Sequence, residues 1–103
     1  MSGEFKGTPG QWKYRGPLGE IYTEEHGVIA DLIVSGYEDE NGNLMAAAPM
    51  LLIALQQMVS RIEYYARLKE TGQPNIEDWA YTYNSSDMDD ARAAIAQALG
   101  ETQ

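Results

Sequence analysis

The chain has 103 residues, with sixteen acidic and seven basic side chains, a formal net charge of −9 and no cysteine. Without cysteine, disulfide scaffolds, cysteine nucleophiles and thiolate metal sites are excluded. The negative field repels nucleic-acid phosphates and anionic lipid surfaces, so direct nucleic-acid binding is disfavoured. The length suits a single domain over residues 1–103 with one modest core.

The chain starts with a polar stretch that has no apolar signal region. Residues 1–7 therefore predict a flexible terminus and, since nothing there resembles a secretion signal, a cytoplasmic protein.

Residues 11–34 predict a small antiparallel sheet. Gln11–Arg15 alternates polar with aromatic residues, Glu20–Thr23 is a short candidate strand, and Val28–Val34 is rich in β-branched residues. The links between these runs are short and contain glycine and proline, which favours a three-stranded meander. Because such a sheet is marginally stable alone, it needs a helical cover.

The longest apolar run, residues 43–55, opens the main helical pattern of the chain. Leucine, methionine, isoleucine and alanine recur in three- and four-residue steps, which predicts a buried stripe of Leu51, Leu55, Met58, Ile62 and Ala66, with Leu52, Val59 and Tyr65 beside it. Proline suits the first turn of a helix, so Pro49 favours a main helix at 49–69, preceded by a loop at 35–42 and a short helical turn. A continuous helix kinked at Pro49 is the alternative.

Two further expectations concern the helices. The uncharged run from Leu44 to Leu55 has only twelve residues before the polar pair Gln56-Gln57. A membrane-spanning helix needs about 20 apolar residues, so we expect no membrane span. A last helix is predicted at 87–99, with a buried face of Met88, Ala91, Ile95, Ala98 and Leu99. The predicted fold is therefore α+β, a meander packed on a long helix and a C-terminal helix.

Catalytic chemistry has little support in the sequence. His26 is the only histidine and lies in a predicted turn, away from any partner that the sequence identifies. The acidic run before Gly42 lacks the first ligand of a calcium loop, since that position is Tyr37, and no phosphate-binding glycine loop occurs. We therefore expect no catalytic residue, no cofactor, no metal and no enzyme activity.

The candidate interface combines aromatic and acidic residues. Ten aromatic side chains are a high load for a small domain, and exposed tyrosines beside acids are typical of protein interfaces, although scattered surface tyrosines without a role fit the sequence equally well. The candidate interface residues are Tyr64, Trp79, Tyr81, Tyr83, Glu38, Asp39 and Glu40.

Several segments together resemble small tailed-phage and prophage proteins of unknown function. These are Thr8-Pro9-Gly10-x-Trp12, Ile29-Ala30-Asp31, the run Ala46-Ala47-Ala48-Pro49-x-Leu51-Leu52-x-Ala54-Leu55, and Asp90 to Gly100. The sequence departs from that pattern at Gln11, where the group has proline, and at Asn41-Gly42-Asn43, where it has Asn-Ala-Arg. The resemblance implies a phage or prophage origin and no particular reaction.

Three functions are consistent with these observations. The first is a phage-encoded accessory protein that binds and inhibits or redirects a host protein, as a counter-defence factor does. The second is a nucleotide-type ligand binder, with aromatic faces for a base and Lys13, Arg15, Arg61 or Arg67 for phosphates. The third is a homo-oligomer assembled through alanine-rich helical surfaces.

Overall fold

The computed structural model of the chain describes residues 4–68 and 85–101. The described elements are, in chain order, β1 (Lys13–Arg15), β2 (Glu20–Thr23), β3 (Gly27–Asp31), α1 (Glu38–Leu68) and α2 (Ser86–Ala98). A three-stranded antiparallel sheet is thus combined with one long and one C-terminal helix, so the α+β prediction is confirmed.

The sheet is the predicted meander, with strand order β1-β2-β3. Tyr14 pairs with Ile21, and Ile21 pairs in turn with Ala30, while the register shifts between Ile21 and Tyr22. Ile21 is fully buried at 0% exposure and forms the centre of the sheet. The third strand ends at Asp31, earlier than predicted, because Ile33 and Val34 that follow it are 87% and 85% exposed and have no burial to hold them in the sheet.

The long helix begins eleven residues before the favoured prediction, at Glu38, and runs through Pro49 without a break. The predicted loop is therefore confirmed only for residues 35–37, the predicted break before Pro49 was wrong, and the alternative is confirmed as far as the helix is continuous. Side chains explain the start: Glu38 accepts hydrogen bonds from the backbone N–H groups of Ser35 and Gly36, satisfying donors before the first turn. The helix formers on both sides of Pro49 outweigh the single hydrogen bond that proline removes.

The face of α1 that is buried also differs from the predicted stripe. Leu51 and Met58 are 54% and 61% exposed, whereas Leu52 and Val59 are 8% and 1% exposed. Leu52 and Val59 form a core with Met88 and Ile95 of α2, and Leu55, Ile62, Ala91 and Leu99 pack around it. The buried part of α1 therefore packs on α2, and of the predicted stripe Leu55 and Ile62 take part in this packing while Leu51 and Met58 do not.

The C-terminal helix matches its prediction to within one residue at each end. Ser85 caps its start, since its Oγ accepts the backbone N–H of Met88 at 3.3 Å. Gly100 adopts a positive φ of 76° and closes the end of the helix, where its N–H donates to the carbonyl of Gln97 at 3.1 Å. Met88 and Ile95 are buried as predicted, but Ala98 is exposed.

The chain divides into two compact units. One, Lys6–Leu51, contains the sheet and the first part of α1. The other, Met1–Phe5 with Leu52–Gln103, contains the rest of α1 together with α2. In the first unit, Tyr14 of β1 lies against Gly42 of α1, so an aromatic ring and a glycine join strand and helix there.

Candidate binding surfaces

The acidic start of α1 is partly committed to internal contacts. The Tyr14 hydroxyl donates a hydrogen bond to Asp39 Oδ1 at 2.7 Å, which raises the pKa of Tyr14 to about 12. Glu38 accepts the two backbone N–H groups described above, and the bond from Ser35 is the main cause that lowers the pKa of Glu38. Of the three acids in the predicted interface, Asp39 and Glu40 are exposed and Glu38 is half-buried, and Glu38 and Asp39 make the internal contacts described here.

A second group of exposed residues lies on the part of α1 that belongs to the same unit as α2. Ile53 and Tyr64 are 53% and 52% exposed, and Gln57 and Ser60 between them are also exposed. Their spacing of four, three and four residues places them on one face of α1. We call Ile53, Gln57, Ser60 and Tyr64 the tyrosine face.

The ring of Tyr64 is supported by its neighbour. The Tyr64 and Tyr65 ring centroids lie 5.5 Å apart at 66°, the edge-to-face arrangement that aromatic pairs favour. The Arg92 Nε lies 3.5 Å from Glu63 Oε2, and its Nη1 lies 3.6 Å from Asp89 Oδ1. This guanidinium therefore holds the acidic first turn of α2 beside the turn of α1 that carries Tyr64. The carboxylates of Glu63 and Asp89 thus lie near the exposed Tyr64 ring.

A third surface, a run of exposed apolar residues along α1, was not predicted, because two of its residues, Leu51 and Met58, were assigned to the buried stripe. Leu44, Ala47, Leu51, Ala54 and Met58 are all exposed, and they follow one another in steps of three and four. Glu40 precedes this run by four residues and Arg61 follows it by three, so both charged ends continue the same spacing. We call Leu44, Ala47, Leu51, Ala54 and Met58 the heptad stripe; its signal was legible in the sequence as a 3-4 repeat bracketed by opposite charges.

The cations proposed for phosphate binding on β1 are already paired. Lys13 Nζ lies 2.9 Å from Glu24 Oε2, and that hydrogen bond raises the pKa of Lys13. Arg15 Nη2 lies 3.0 Å from Glu20 Oε1, and its guanidinium stacks 4.1 Å from the centroid of the Tyr22 ring. A cavity of about 110 Å³ next to Lys13 is lined by Glu24 and Glu25. It is smaller than the roughly 300 Å³ at which ligand pockets begin, and its charge opposes a phosphate.

His26 and the acidic runs show no catalytic arrangement in the part of the chain that the structure describes. His26 is exposed, and its backbone N–H donates to Thr23 Oγ1 at 2.9 Å to close the turn between β2 and β3. Among residues 4–68 and 85–101, no group of three or more histidine, aspartate or glutamate side chains is placed to hold a metal ion. The other predicted interface residues, Trp79, Tyr81 and Tyr83, lie outside the described residues.

By length and composition alone, Glu38–Arg67 qualifies as a membrane-crossing helix, and 11% of its most apolar window is buried. A single helix of this kind is weak evidence for a membrane, since core helices of soluble proteins meet the same criteria. The exposure nevertheless means that this helix leaves several large apolar side chains in contact with water, among them Leu44, Leu51 and Met58.

The chain was compared with curated proteins, solved structures and protein families. No curated protein and no solved structure matches it. One family model matches residues 1–102, and that family is described as Salmonella phage P22 protein Y8K6. Since the match covers nearly the whole chain, the chain belongs to this phage protein family, which agrees with the phage resemblance of its segments.

Proposed function

We propose that this phage accessory protein acts by binding a host protein, with no reaction of its own, and that the tyrosine face is the contact surface. The observation that supports this is the exposure of Ile53 and Tyr64, each slightly above half, on one face of a helix. Large apolar and tyrosine side chains that leave water on binding supply most of the affinity of protein interfaces. The proposed setting is the host cytoplasm.

The charge around the tyrosine face favours a basic partner. Asp89 is held beside Glu63 by Arg92, and the whole chain carries a net charge of −9. Such a field accelerates encounter with a positively charged surface and disfavours nucleic acids and anionic lipids. Binding that depends on these charges weakens as salt is added, whereas the contribution of Ile53 and Tyr64 persists.

A membrane partner is not part of the proposal, because of what packs on α1. Leu52 and Val59 lie in a core with α2, and α2 carries Asp87, Asp89, Asp90 and Arg92. Placing α1 across a bilayer would bring these charges to the same depth, at about 3 kcal/mol for each charged residue near the bilayer centre. The apolar surface of α1 is therefore assigned to protein contacts.

The experiment is affinity capture from host lysate, followed by reconstitution with the purified candidate. The wild-type chain, the double variant Ile53→Glu with Tyr64→Ala, and Leu51→Glu as a matched control are compared. We expect one basic host protein to bind the wild type and Leu51→Glu, and to be lost with the double variant. If the purified candidate binds all three chains equally, or none of them, the proposal fails.

A further inference from the structure

We infer that the heptad stripe is covered by a second copy of this chain, paired in the antiparallel direction along α1. The stripe lies on a different side of the helix from the tyrosine face, so the inference is independent of the proposed host contact. Leu44, Leu51 and Met58 recur every seven residues and are 64%, 54% and 61% exposed. A seven-residue apolar repeat is the pattern by which helices pair along their length.

The composition of the stripe favours another helix as its occupant. Ala47 and Ala54 alternate with the three larger side chains, and all five positions are exposed. An antiparallel pair can set Leu51 beside Ala54 of the second copy, and the same register sets Ala47 beside Met58 and Leu44 beside Arg61. At the two central levels a large side chain then meets a small one, whereas a parallel pair would set Leu51 against Leu51 and Ala47 against Ala47.

The charges at the two ends of the stripe identify the second copy and its direction. From residue 41 to residue 60 the helix has no charged side chain, and Glu40 lies before this segment. Arg61 and Arg67 lie after it, together with Glu63, which is paired with Arg92. The first turn holds the acids Glu38, Asp39 and Glu40, and the last turn holds Arg67. Antiparallel copies bring acidic ends beside basic ends, while parallel copies bring like charges together.

The twofold axis that relates the two copies passes beside α1 between residues 51 and 54. In the register that places Leu51 beside Ala54 of the second copy, two Leu51 side chains are roughly 5 Å apart along the axis at 1.5 Å per residue. Two Leu44 side chains are then about 26 Å apart along the axis at the same rise. A parallel pair would instead keep both Leu44 side chains and both Leu51 side chains adjacent.

Sedimentation equilibrium of the full chain gives the first test. We expect a wild-type dimer in the micromolar range, at least a hundredfold weaker for Leu51→Glu, and unchanged for Ile53→Glu. Leu51 and Ile53 are matched, since they are two residues apart on α1 and 54% and 53% exposed. Circular dichroism confirms that each variant keeps its helix. A wild-type monomer at high concentration, a dimer that survives Leu51→Glu, or an equal loss with Ile53→Glu would overturn the inference.

Cross-linking tests the direction. Since the chain has no cysteine, single variants Leu51→Cys and Leu44→Cys each carry one thiol. A bismaleimide of about 10 Å reach should cross-link Leu51→Cys with itself and leave Leu44→Cys uncoupled, because only the former pair lies within that span. Cross-linking of Leu44→Cys with itself would establish a parallel pair and refute the antiparallel assignment.

Charge reversal and vesicles complete the test. Glu40→Lys and Arg61→Glu should each weaken the dimer several-fold, and the double variant should recover most of the loss. Flotation with neutral phosphatidylcholine vesicles should leave the wild type in the soluble fraction. Additive losses in the double variant would contradict the pairing of Glu40 with Arg61 and with it the antiparallel direction. Flotation of the wild type that Leu51→Glu abolishes would mean that lipid, and not a second copy, covers the heptad stripe.

Discussion

The ring of Tyr14 occupies the space that a side chain at position 42 would need. A Cβ built on Gly42 would lie 2.2 Å from Tyr14 Cδ1 and 2.4 Å from Cε1, far inside van der Waals contact. The same ring is tied through its hydroxyl to Asp39 at 2.7 Å, so it cannot easily turn away. Glycine is therefore required in α1 at this point, although glycine normally weakens a helix.

Gly42→Ala should consequently destabilise the protein, reversing the usual effect of that exchange. In an open helix the substitution gains about 1 kcal/mol, whereas overpacking against the Tyr14 ring should cost about 1–3 kcal/mol. Urea denaturation followed by circular dichroism measures the difference. In a Tyr14→Ala background the same exchange should become neutral or stabilising; a stabilising effect in the wild-type background would show that the ring does not restrain position 42.

Local signals in the sequence were sufficient for part of the fold. Glu20–Thr23 was predicted with its observed bounds, and α2 was predicted to within a residue, since Ser85 and Gly100 mark its ends. The start of α1 was predicted too late for two reasons. Pro49 and Asn41-Gly42-Asn43 signal a break locally, and the Tyr14–Asp39 contact that supports the helix joins residues whose proximity only the fold reveals. The contact of Glu38 with the backbone of Ser35 is local, and it is a start signal that the prediction missed.

The candidate surfaces were only partly predictable for a related reason. Between Leu44 and Val59, α1 is apolar on most sides. Two overlapping three- and four-residue repeats in this segment could therefore each form the buried face. Periodicity selected Leu51 and Met58 for the core, whereas the packing of α2 selects Leu52 and Val59. Tyr64 was correctly expected to be a candidate for exposure, since adjacent Tyr64 and Tyr65 point to different sides of a helix.

The alkaline titration of Tyr14 should report its contact with Asp39. Its hydrogen bond to Asp39 raises its pKa to about 12 from the ordinary 10.0, so the folded state holds this proton more tightly than the unfolded state. The resulting stabilisation is complete below pH 10 and is lost as the pH rises towards 12. Tyrosinate absorbance of the wild type minus that of Tyr14→Phe should give this pKa, and Asp39→Asn should lower it.

The loss of folding stability at low pH should depend on Glu38. Hydrogen bonds from the Ser35 and Gly36 backbone lower its pKa below the ordinary 4.5, so its stabilisation is present above that pH and is lost as the pH falls through the lower, folded-state value. At neutral pH the wild type should therefore be more stable than Glu38→Gln, and the two should converge in acid. Glu40→Gln removes a charge from the same turn as a control; an equal, pH-independent loss in both variants would contradict this role.

The cap of α2 should be measurable at Ser85. Its Oγ accepts the Met88 N–H at 3.3 Å, and its backbone is extended at φ −78° and ψ 161°, as a capping residue requires. Ser85→Ala should cost about 1 kcal/mol of unfolding free energy, while Ser85→Asp should retain the cap. Urea denaturation compares the three chains. Equal loss in the alanine and aspartate variants would mean that the side-chain oxygen does not cap the helix.

Ile95 and Ile53 should differ sharply in their tolerance of truncation, because one lies in the core between α1 and α2 and the other on the tyrosine face. Ile95 is 2% exposed and packs with Leu52 and Val59, so Ile95→Ala leaves a cavity and should cost about 3 kcal/mol. Ile53 is 53% exposed, and Ile53→Ala should cost less than about 0.5 kcal/mol. Urea denaturation at a concentration where neither variant self-associates isolates this difference. Similar costs at the two positions would mean that the Ile53 side chain is already covered within the chain, which would remove the basis for assigning it to a host contact.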